Sequence, residues 1–232
     1  MRLKGHNHTL PLKKPLILIL AILFADQFVK IWVKTHMFIG EEIHVFGNWF
    51  ILHFTENNGM AFGIELAGES GKLILSVFRI IAIILIAFYL SKIIKEKAHR
   101  GLLISISLIL AGALGNLIDS AFYGLIFSES AYYHPARLFP EGGGYSSFLH
   151  GKVVDMLYFP IIKGHYPGWF PFVAGREFIF FRPVFNIADS AITIGVFTLI
   201  IFQHRLFPRK SDHRIHPAVG NDNPVNDSIT DP

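Results

Sequence analysis

Four aspartates stand in or beside apolar stretches of the sequence: Asp26, Asp119, Asp155 and Asp189. An ionised carboxylate at membrane depth costs free energy, so such residues normally face the protein interior or a polar site. We therefore treat each of the four as a candidate for chemistry, and weigh each against a purely structural role.

The spacing of Asp26 and Lys30 places both side chains on one face of a helix, because residues four apart are neighbours there. A structural ion pair inside a helix bundle is the simpler interpretation of this pattern. Support of a nearby site is the alternative, and the two residues alone do not decide between them.

Two further aspartates each follow an asparagine by three residues. Asn116 precedes Asp119 in "GALGNLIDS", and Asn186 precedes Asp189 in "FNIADSAI". Each pair shares a helix face, and the two stretches lie towards the same membrane surface if their helices run in opposite directions. The alternative is a polar cluster that only holds helix ends together.

Asp155 lies in "KVVDMLYF", whose β-branched and aromatic residues predict a short strand. We expect this apolar strip to press onto the membrane surface and carry its carboxylate to Asp189. Two carboxylates so placed share one proton, because burial and like charge both raise one pKa. An aspartyl hydrolase uses this arrangement: the ionised group takes a proton from water while the neutral group polarises a carbonyl.

Other catalytic chemistry is poorly represented. The chain has no cysteine, which excludes thiol nucleophiles, disulfides and cysteine-based metal sites. Its 12 histidines are scattered without metal-ligand spacing, and no G-x-S-x-G motif occurs. We expect no metal, no cofactor and no nucleic-acid partner.

The elements that must position these residues are membrane spans. Of 232 residues, 52% are hydrophobic and 16% charged, and the mean hydropathy is +0.45. About 20 apolar residues cross the roughly 30 Å of bilayer hydrocarbon. Four stretches meet this length, at about 15–33, 73–94, 101–122 and 183–206, the last with Pro183 in the first helical turn.

Basic residues precede the first span, fill the turn between the second and third, and follow the fourth, which places both termini in the cytoplasm. The segments 35–72 and 123–182 then face the periplasm of a bacterial inner membrane. We expect the first to form short strands. The second reads as a long irregular loop, in which the glycine run 142–144 provides a hinge for a lid.

The predicted fold class is therefore mainly α and integral to the membrane. Four transmembrane helices carry a small periplasmic β-rich segment and a long periplasmic loop.

The motifs "FNIADSAI", "KVVDML", "GALGNLID" and "NNGMAFG", with the Asp26–Lys30 pair on a four-span chain, resemble lipoprotein signal peptidase, or signal peptidase II. The resemblance covers about residues 15–206. It implies a four-helix peptidase domain at 15–206. The basic residues and the polar composition of the C-terminal end predict a cytoplasmic N-terminus at 1–14 and a disordered cytoplasmic tail at 207–232.

The resemblance also implies an activity. Family members are aspartyl endopeptidases of the bacterial inner membrane, which cleave prolipoproteins just before a diacylglyceryl-modified cysteine. Implied partners are these prolipoproteins, membrane lipid and globomycin-type inhibitors. The catalytic pair corresponds to Asp155 and Asp189, and the family's supporting positions correspond to Asp26, Lys30, Asn58, Asn116, Asp119 and Asn186.

The sequence departs from the family pattern after "GNLID", where the family usually has arginine and this chain has Ser120. Either this basic partner is missing, or another residue supplies it, with Arg137, Lys152, Arg176 and Arg182 as candidates.

A four-helix transporter or proton carrier is the non-enzymatic alternative, since it also places Asp and Lys within spans. A carrier would distribute ionisable residues across the membrane depth. Here Asp119, Asp155 and Asp189 are expected at one face, which favours chemistry at the surface.

Overall fold

The computed structural model describes residues 13–58, 68–160, 162–172, 175–180 and 183–206. The tail expected at 207–232 and most of the segment expected at 1–14 lie outside the described residues. The described part comprises a bundle of long helices and, at one end of it, two small antiparallel sheets.

The helices are α1 (Lys13–His36), α2 (Gly68–Lys95), α3 (Arg100–Ile118), the short α4 (Gly124–Ile126) and α5 (Ile187–Leu206). A π-helical turn, Asp119–Tyr123, joins α3 to α4. Within the described residues four helices are long and apolar enough to cross a membrane. The predicted fold class, a mainly helical membrane protein with four spans, is therefore confirmed.

The strands are β1 (Glu42–Phe46), β2 (Phe50–Asn57), β3 (Val153–Tyr158), β4 (Ile162–His165), β5 (Glu177–Phe180) and β6 (Val184–Phe185). One antiparallel sheet has the order β1-β2-β3-β6, and β4 and β5 form a separate hairpin. Strands were expected in the first outer segment and near Asp155. The β4–β5 hairpin corrects the expectation that the rest of 160–182 is irregular.

Strand β3 is more deeply placed than its apolar sequence suggested. It lies between β2 and β6, and five of its six residues are buried. Val154 and Met156 pack with Val33 and Met37 at the end of α1. The apolar strip therefore fills a core beneath the sheet, where apolar partners on α1 and β2 cover it.

Helix α3 is the centre of the bundle and packs against α1, α2 and α5. Glycines allow the closest of these contacts: a Cβ at Gly112 would lie 2.2 Å from the Ala188 carbonyl oxygen, and one at Gly195 would lie 2.7 Å from the Ser105 carbonyl oxygen. Small residues let membrane helices approach in this way. The close contact between Gly112 and Ala188 fixes the position of the first turn of α5 along α3.

The fourth span begins later than predicted. Val184 and Phe185 belong to strand β6, and the helix starts at Ile187, so Pro183 precedes a strand and is not in the first helical turn. The backbone of β6 is used for pairing with β3, which prevents an earlier start of the helix. Asp189 consequently lies in the first turn of α5, not two turns into it.

The first half of the long outer segment is tied to the bundle. Ser146 N donates to the Gly124 carbonyl at 2.8 Å, and Tyr145 N donates to the Phe127 carbonyl at 3.0 Å. A Cβ at Gly144 would come within 2.1 Å of the Gly124 oxygen. Gly144 therefore serves close packing, which corrects its assignment to a hinge.

We predict that Gly112→Ala lowers the free energy of unfolding by about 1–3 kcal/mol, because α3 and α5 must move apart to admit the methyl group. Gly142→Ala is the matched control, since a Cβ there meets no atom within 4 Å. Thermal unfolding in detergent measures both, and equal midpoints for the two variants would contradict this account of the interface.

Candidate active site

The chain path brings Asp155 and Asp189 together through the short strand β6. Leu157 on β3 pairs with Phe185 on β6, so the next residue, Asn186, lies beside Asp155 just before α5 begins. The Asn186 side chain donates from Nδ2 to Asp155 Oδ1 at 2.8 Å, and its Oδ1 accepts from the Asp189 backbone N at 2.8 Å. One buried asparagine therefore contacts both aspartates.

Asn186 and Asp189 also form a reciprocal cap at the start of α5. While Asn186 Oδ1 accepts from Asp189 N, Asp189 Oδ2 accepts from Asn186 N at 3.4 Å. A carboxylate in a first helical turn is stabilised by the unpaired N–H groups and the positive end of the helix dipole. The cap thus fixes the position of the Asp189 carboxyl group at the start of α5.

The second oxygen of Asp189 is held from α3. Asn116 Nδ2 donates to Asp189 Oδ1 at 2.8 Å, and Asn116 Oδ1 accepts from Lys30 Nζ at 3.1 Å and from Asn186 Nδ2 at 3.2 Å. The Lys30 ammonium fixes the amide oxygen of Asn116 on its own side. The amide N–H group of Asn116 is thereby turned towards the carboxylate.

Asp155 has a different environment, in the middle of an extended strand. It is 6% exposed, and its Oδ2 accepts a hydrogen bond from Asn57 Nδ2 on the neighbouring strand β2. Burial, and next the negative charge of Asp189, raise the pKa of Asp155 to about 7. Below that pH the Asp155 carboxyl group carries a proton.

A buried charge cluster supports the pair from the bundle interior. Lys30 Nζ lies 2.9 Å from Asp26 Oδ2 and 2.8 Å from Asp119 Oδ2, with all three side chains inaccessible to solvent. Asp26 Oδ1 accepts from the Ala188 backbone N at 2.8 Å, and Asp119 Oδ2 accepts from the Val154 backbone N at 3.3 Å. The cluster therefore holds the backbone at one residue beside each aspartate of the pair: Val154 precedes Asp155, and Ala188 precedes Asp189.

The structure brings most of the predicted site residues into one network: Asp26, Lys30, Asn116, Asp119, Asp155, Asn186 and Asp189. Asn58 is placed differently, since it accepts a hydrogen bond from Lys72 Nζ at 3.1 Å, and it is the preceding residue, Asn57, that contacts Asp155. The sequence "NNG" does not show which asparagine contacts Asp155. That depends on which of the two side chains lies on the same face of the sheet as Asp155.

Two other polar residues were missed. Gln27 donates to Asp119 Oδ1 at 2.9 Å, and Arg79 Nη1 on α2 donates to Ser120 Oγ at 3.2 Å. A signal for Arg79 was present in the sequence, because it is an ionisable residue inside an apolar span.

Among the described residues, the cation beside Ser120 is Arg79, which was not among the candidates named to replace the family's arginine. Lys152 Nζ contacts Glu129 at 3.4 Å in the outer segment. Arg137 lines a cleft in that same segment, and Arg176 lies in an exposed turn of the β4–β5 hairpin. Arg182 lies outside the described residues.

Comparison with known proteins gives consistent matches. A family model described as signal peptidase (SPase) II matches residues 18–205. A lipoprotein signal peptidase of Porphyromonas gingivalis is 52% identical over 185 residues, which is 79% of this chain and 80% of the relative. One from Amoebophilus asiaticus is 40% identical over 188 residues, covering 80% of this chain and 75% of that relative.

Two solved structures have a similar fold. A bacterial membrane enzyme determined at 2.3 Å resolution aligns with a TM-score of 0.58 and 25% identity, over 89% of this chain and 97% of that chain. A second, at 1.9 Å resolution, aligns with a TM-score of 0.54 and 26% identity, over 84% and 96%. Both similarities extend over nearly the whole of the solved chains.

We predict that Lys30→Met lowers the free energy of unfolding by about 3–5 kcal/mol, because it leaves Asp26 and Asp119 buried without their cation. Lys92→Met is the control: Lys92 is largely exposed, 3.9 Å from Glu96, and its loss should change stability by less than about 0.5 kcal/mol. Thermal unfolding in detergent compares them. Two equally stable variants would show that the buried cluster does not hold the fold together.

Proposed function

The chain belongs to the signal peptidase II family, and on this basis we propose that it is an aspartyl endopeptidase with Asp155 and Asp189 as its catalytic pair. As a member of this family the chain is a peptidase, and it is a multi-pass membrane protein with four apolar helices. Family membership also argues against the carrier alternative. The observation that most directly supports the pair is that the Asn186 side chain contacts both aspartates, which lie in different environments.

The proposed roles follow from those environments. Asp189, at a helix N-terminus and bonded by the Asn116 amide, is the ionised member and takes a proton from the attacking water. Asp155, buried and protonated, donates to the carbonyl oxygen as the water oxygen bonds to the carbonyl carbon. When the tetrahedral intermediate collapses, the proton held by Asp189 passes to the departing nitrogen, the C–N bond breaks, and Asp155 recovers its proton from the hydroxyl.

We propose as substrates prolipoproteins whose cysteine carries diacylglycerol, with cleavage just before that cysteine. The aspartate pair lies where α3 ends and α5 begins, at the end of the bundle that carries the sheets. A scissile peptide bond near a membrane surface would be within reach of the two aspartates at this end of the bundle. We place this end at the periplasmic face of a bacterial inner membrane, with both termini cytoplasmic, since the basic residues cluster at the opposite ends of the helices.

Membrane lipid and globomycin-type inhibitors complete the proposed partners. An inhibitor that occupies the aspartate pair would compete directly with the lipidated substrate.

Asp155→Asn and Asp189→Asn should each reduce cleavage of a lipidated prolipoprotein by at least about a thousandfold while the protein stays folded, because an amide cannot exchange the required proton. Glu129→Gln is a matched removal of an exposed carboxylate and should cleave at the wild-type rate. Product formation with purified protein in detergent gives the comparison. Near-wild-type turnover by either asparagine variant would rule out the proposed pair.

The pH dependence tests the proton on Asp155. Its pKa is raised to about 7, so the singly protonated pair exists below that pH and loses its proton above it. We expect kcat to fall by roughly tenfold per pH unit above neutrality, with an apparent pKa that belongs to the coupled pair. Initial rates at saturating substrate between pH 5 and 9 measure this, and a rate that keeps rising to pH 9 would contradict the assignment.

A further inference from the structure

Helix α2 carries a polar stripe that the mechanism above does not use. Lys72, Ser76 and Arg79 occur at spacings of four and three, so they share one helix face. The opposite side of α2 is apolar and exposed, as expected for lipid contact: Ile74, Phe78 and Leu85 are each more than 60% exposed. The helix thus has one face for lipid and one polar face towards the site.

Each residue of the stripe donates a hydrogen bond to the protein, and two of the acceptors adjoin residues of the site. Lys72 Nζ donates to Asn58 Oδ1 at 3.1 Å, beside the residue that binds Asp155. Ser76 Oγ donates to the Leu149 carbonyl at 3.1 Å. Arg79 Nη1 donates to Ser120 Oγ at 3.2 Å, next to Asp119. The stripe therefore borders the site on the side of α2.

Arg79 is the unusual member because of its depth. It lies eight residues after Gly71, where the apolar part of α2 starts, or roughly 12 Å along the helix. A guanidinium within a span costs free energy unless it has a function or a partner. Its Nη1 donates to the hydroxyl of Ser120, the residue that follows Asp119 at the end of α3. Arg79 is accordingly a cation that α2 places at the end of the bundle where the aspartate pair lies.

A structural ion pair would be the simpler role, but the structure already has one. Lys30 is completely buried between Asp26 and Asp119 and pairs with both. Arg79 is only half-buried, and its Nη1 donates to the hydroxyl of Ser120. A guanidinium has five N–H donors in a planar fork, so one arginine can bond both to the protein and to a ligand.

The chemistry of the ligand follows from the charges around Arg79. An anionic group, such as a phosphate, would be repelled by the Asp189 carboxylate at the same site. A neutral acceptor would meet no such repulsion. A peptide entering from the membrane brings carbonyl oxygens that lack water as a partner, and each gains from a charged donor.

We propose that Arg79 is a substrate-positioning residue, which is seated on Ser120 and donates hydrogen bonds to carbonyl oxygens of the substrate beside the aspartate pair. This inference rests on the proposed peptidase mechanism. The carbonyl oxygens have two possible sources, the peptide backbone near the scissile bond and the acyl esters of the attached lipid. Both sources present the same acceptor, and substrate chemistry can separate them.

The test uses two synthetic lipopeptides with one peptide sequence, one carrying an ester-linked diacylglyceryl group and the other an ether-linked dialkylglyceryl group. Arg79→Gln should raise KM for the ester substrate about tenfold and change kcat by less than about threefold, because a charged donor to the carbonyl is lost. Arg79→Lys should raise KM for the ester substrate less than Arg79→Gln does. Ser120→Ala should shift KM in the same direction by a smaller factor.

The ether substrate identifies the acceptor. If Arg79→Gln raises KM for both lipopeptides, Arg79 binds peptide carbonyls, and if it raises KM only for the ester, Arg79 binds the lipid esters. An unchanged KM on both substrates, or a loss of kcat with KM unchanged, would overturn the inference. Lys92→Gln, on the same helix but at its other end, is the control and should leave KM as in the wild type.

Two controls keep this test separate from that of the mechanism. If the wild-type protein cleaves neither lipopeptide, the proposed function fails. If the wild type cleaves and Asp189→Asn does not, an unchanged KM in Arg79→Gln sinks only the role of Arg79. Thermal unfolding of each variant shows whether it is folded, and Ser120→Ala, which keeps the charge in the span, gives the answer if Arg79→Gln does not fold.

Discussion

The rest of the site depends on the ion pairs that the buried ammonium of Lys30 forms with two aspartates. A charge inside a membrane bundle is tolerated only when its partners are fixed, and here Asp26 and Asp119 lie within 3 Å of it. These carboxylates use their remaining capacity to accept backbone N–H groups of Ala188 and Val154. The ion cluster thus connects α1 and α3 to the start of α5 and to β3, so the elements that carry the candidate catalytic groups share one electrostatic anchor.

The two aspartates of the site are chemically alike, and their backbones make them different. Asp189 belongs to a first helical turn, where backbone N–H groups and the helix dipole favour negative charge. Asp155 belongs to a buried strand that pairs with β2, and burial raises its pKa to about 7. Asn186, between β6 and α5, links these environments. A helix end set against a strand is therefore a simple way to obtain an unequal pair of carboxyl groups.

The outer segments frame the site with fixed contacts. Lys34, at the end of α1, is fully buried and contacts Glu56 on β2 and Ser130 in the long outer segment, the latter at 2.7 Å. Its ammonium also lies 5.1 Å from the ring of Tyr145. A second buried cation, one helical turn after Lys30, thus ties that segment to helix and sheet. The first part of the segment is consequently held to the bundle by several contacts.

The sequence by itself determined the four spans and four aspartates worth testing, because apolar length and buried charge are local properties that read directly from composition and spacing. It could not choose Asn57 over its neighbour, place Arg79 at Ser120, or start α5 after a two-residue strand. Those outcomes depend on strand register, on the facing of one helix against another, and on competition between sheet pairing and helix formation. Each is decided by partners remote in the chain, so only the tertiary structure fixes them.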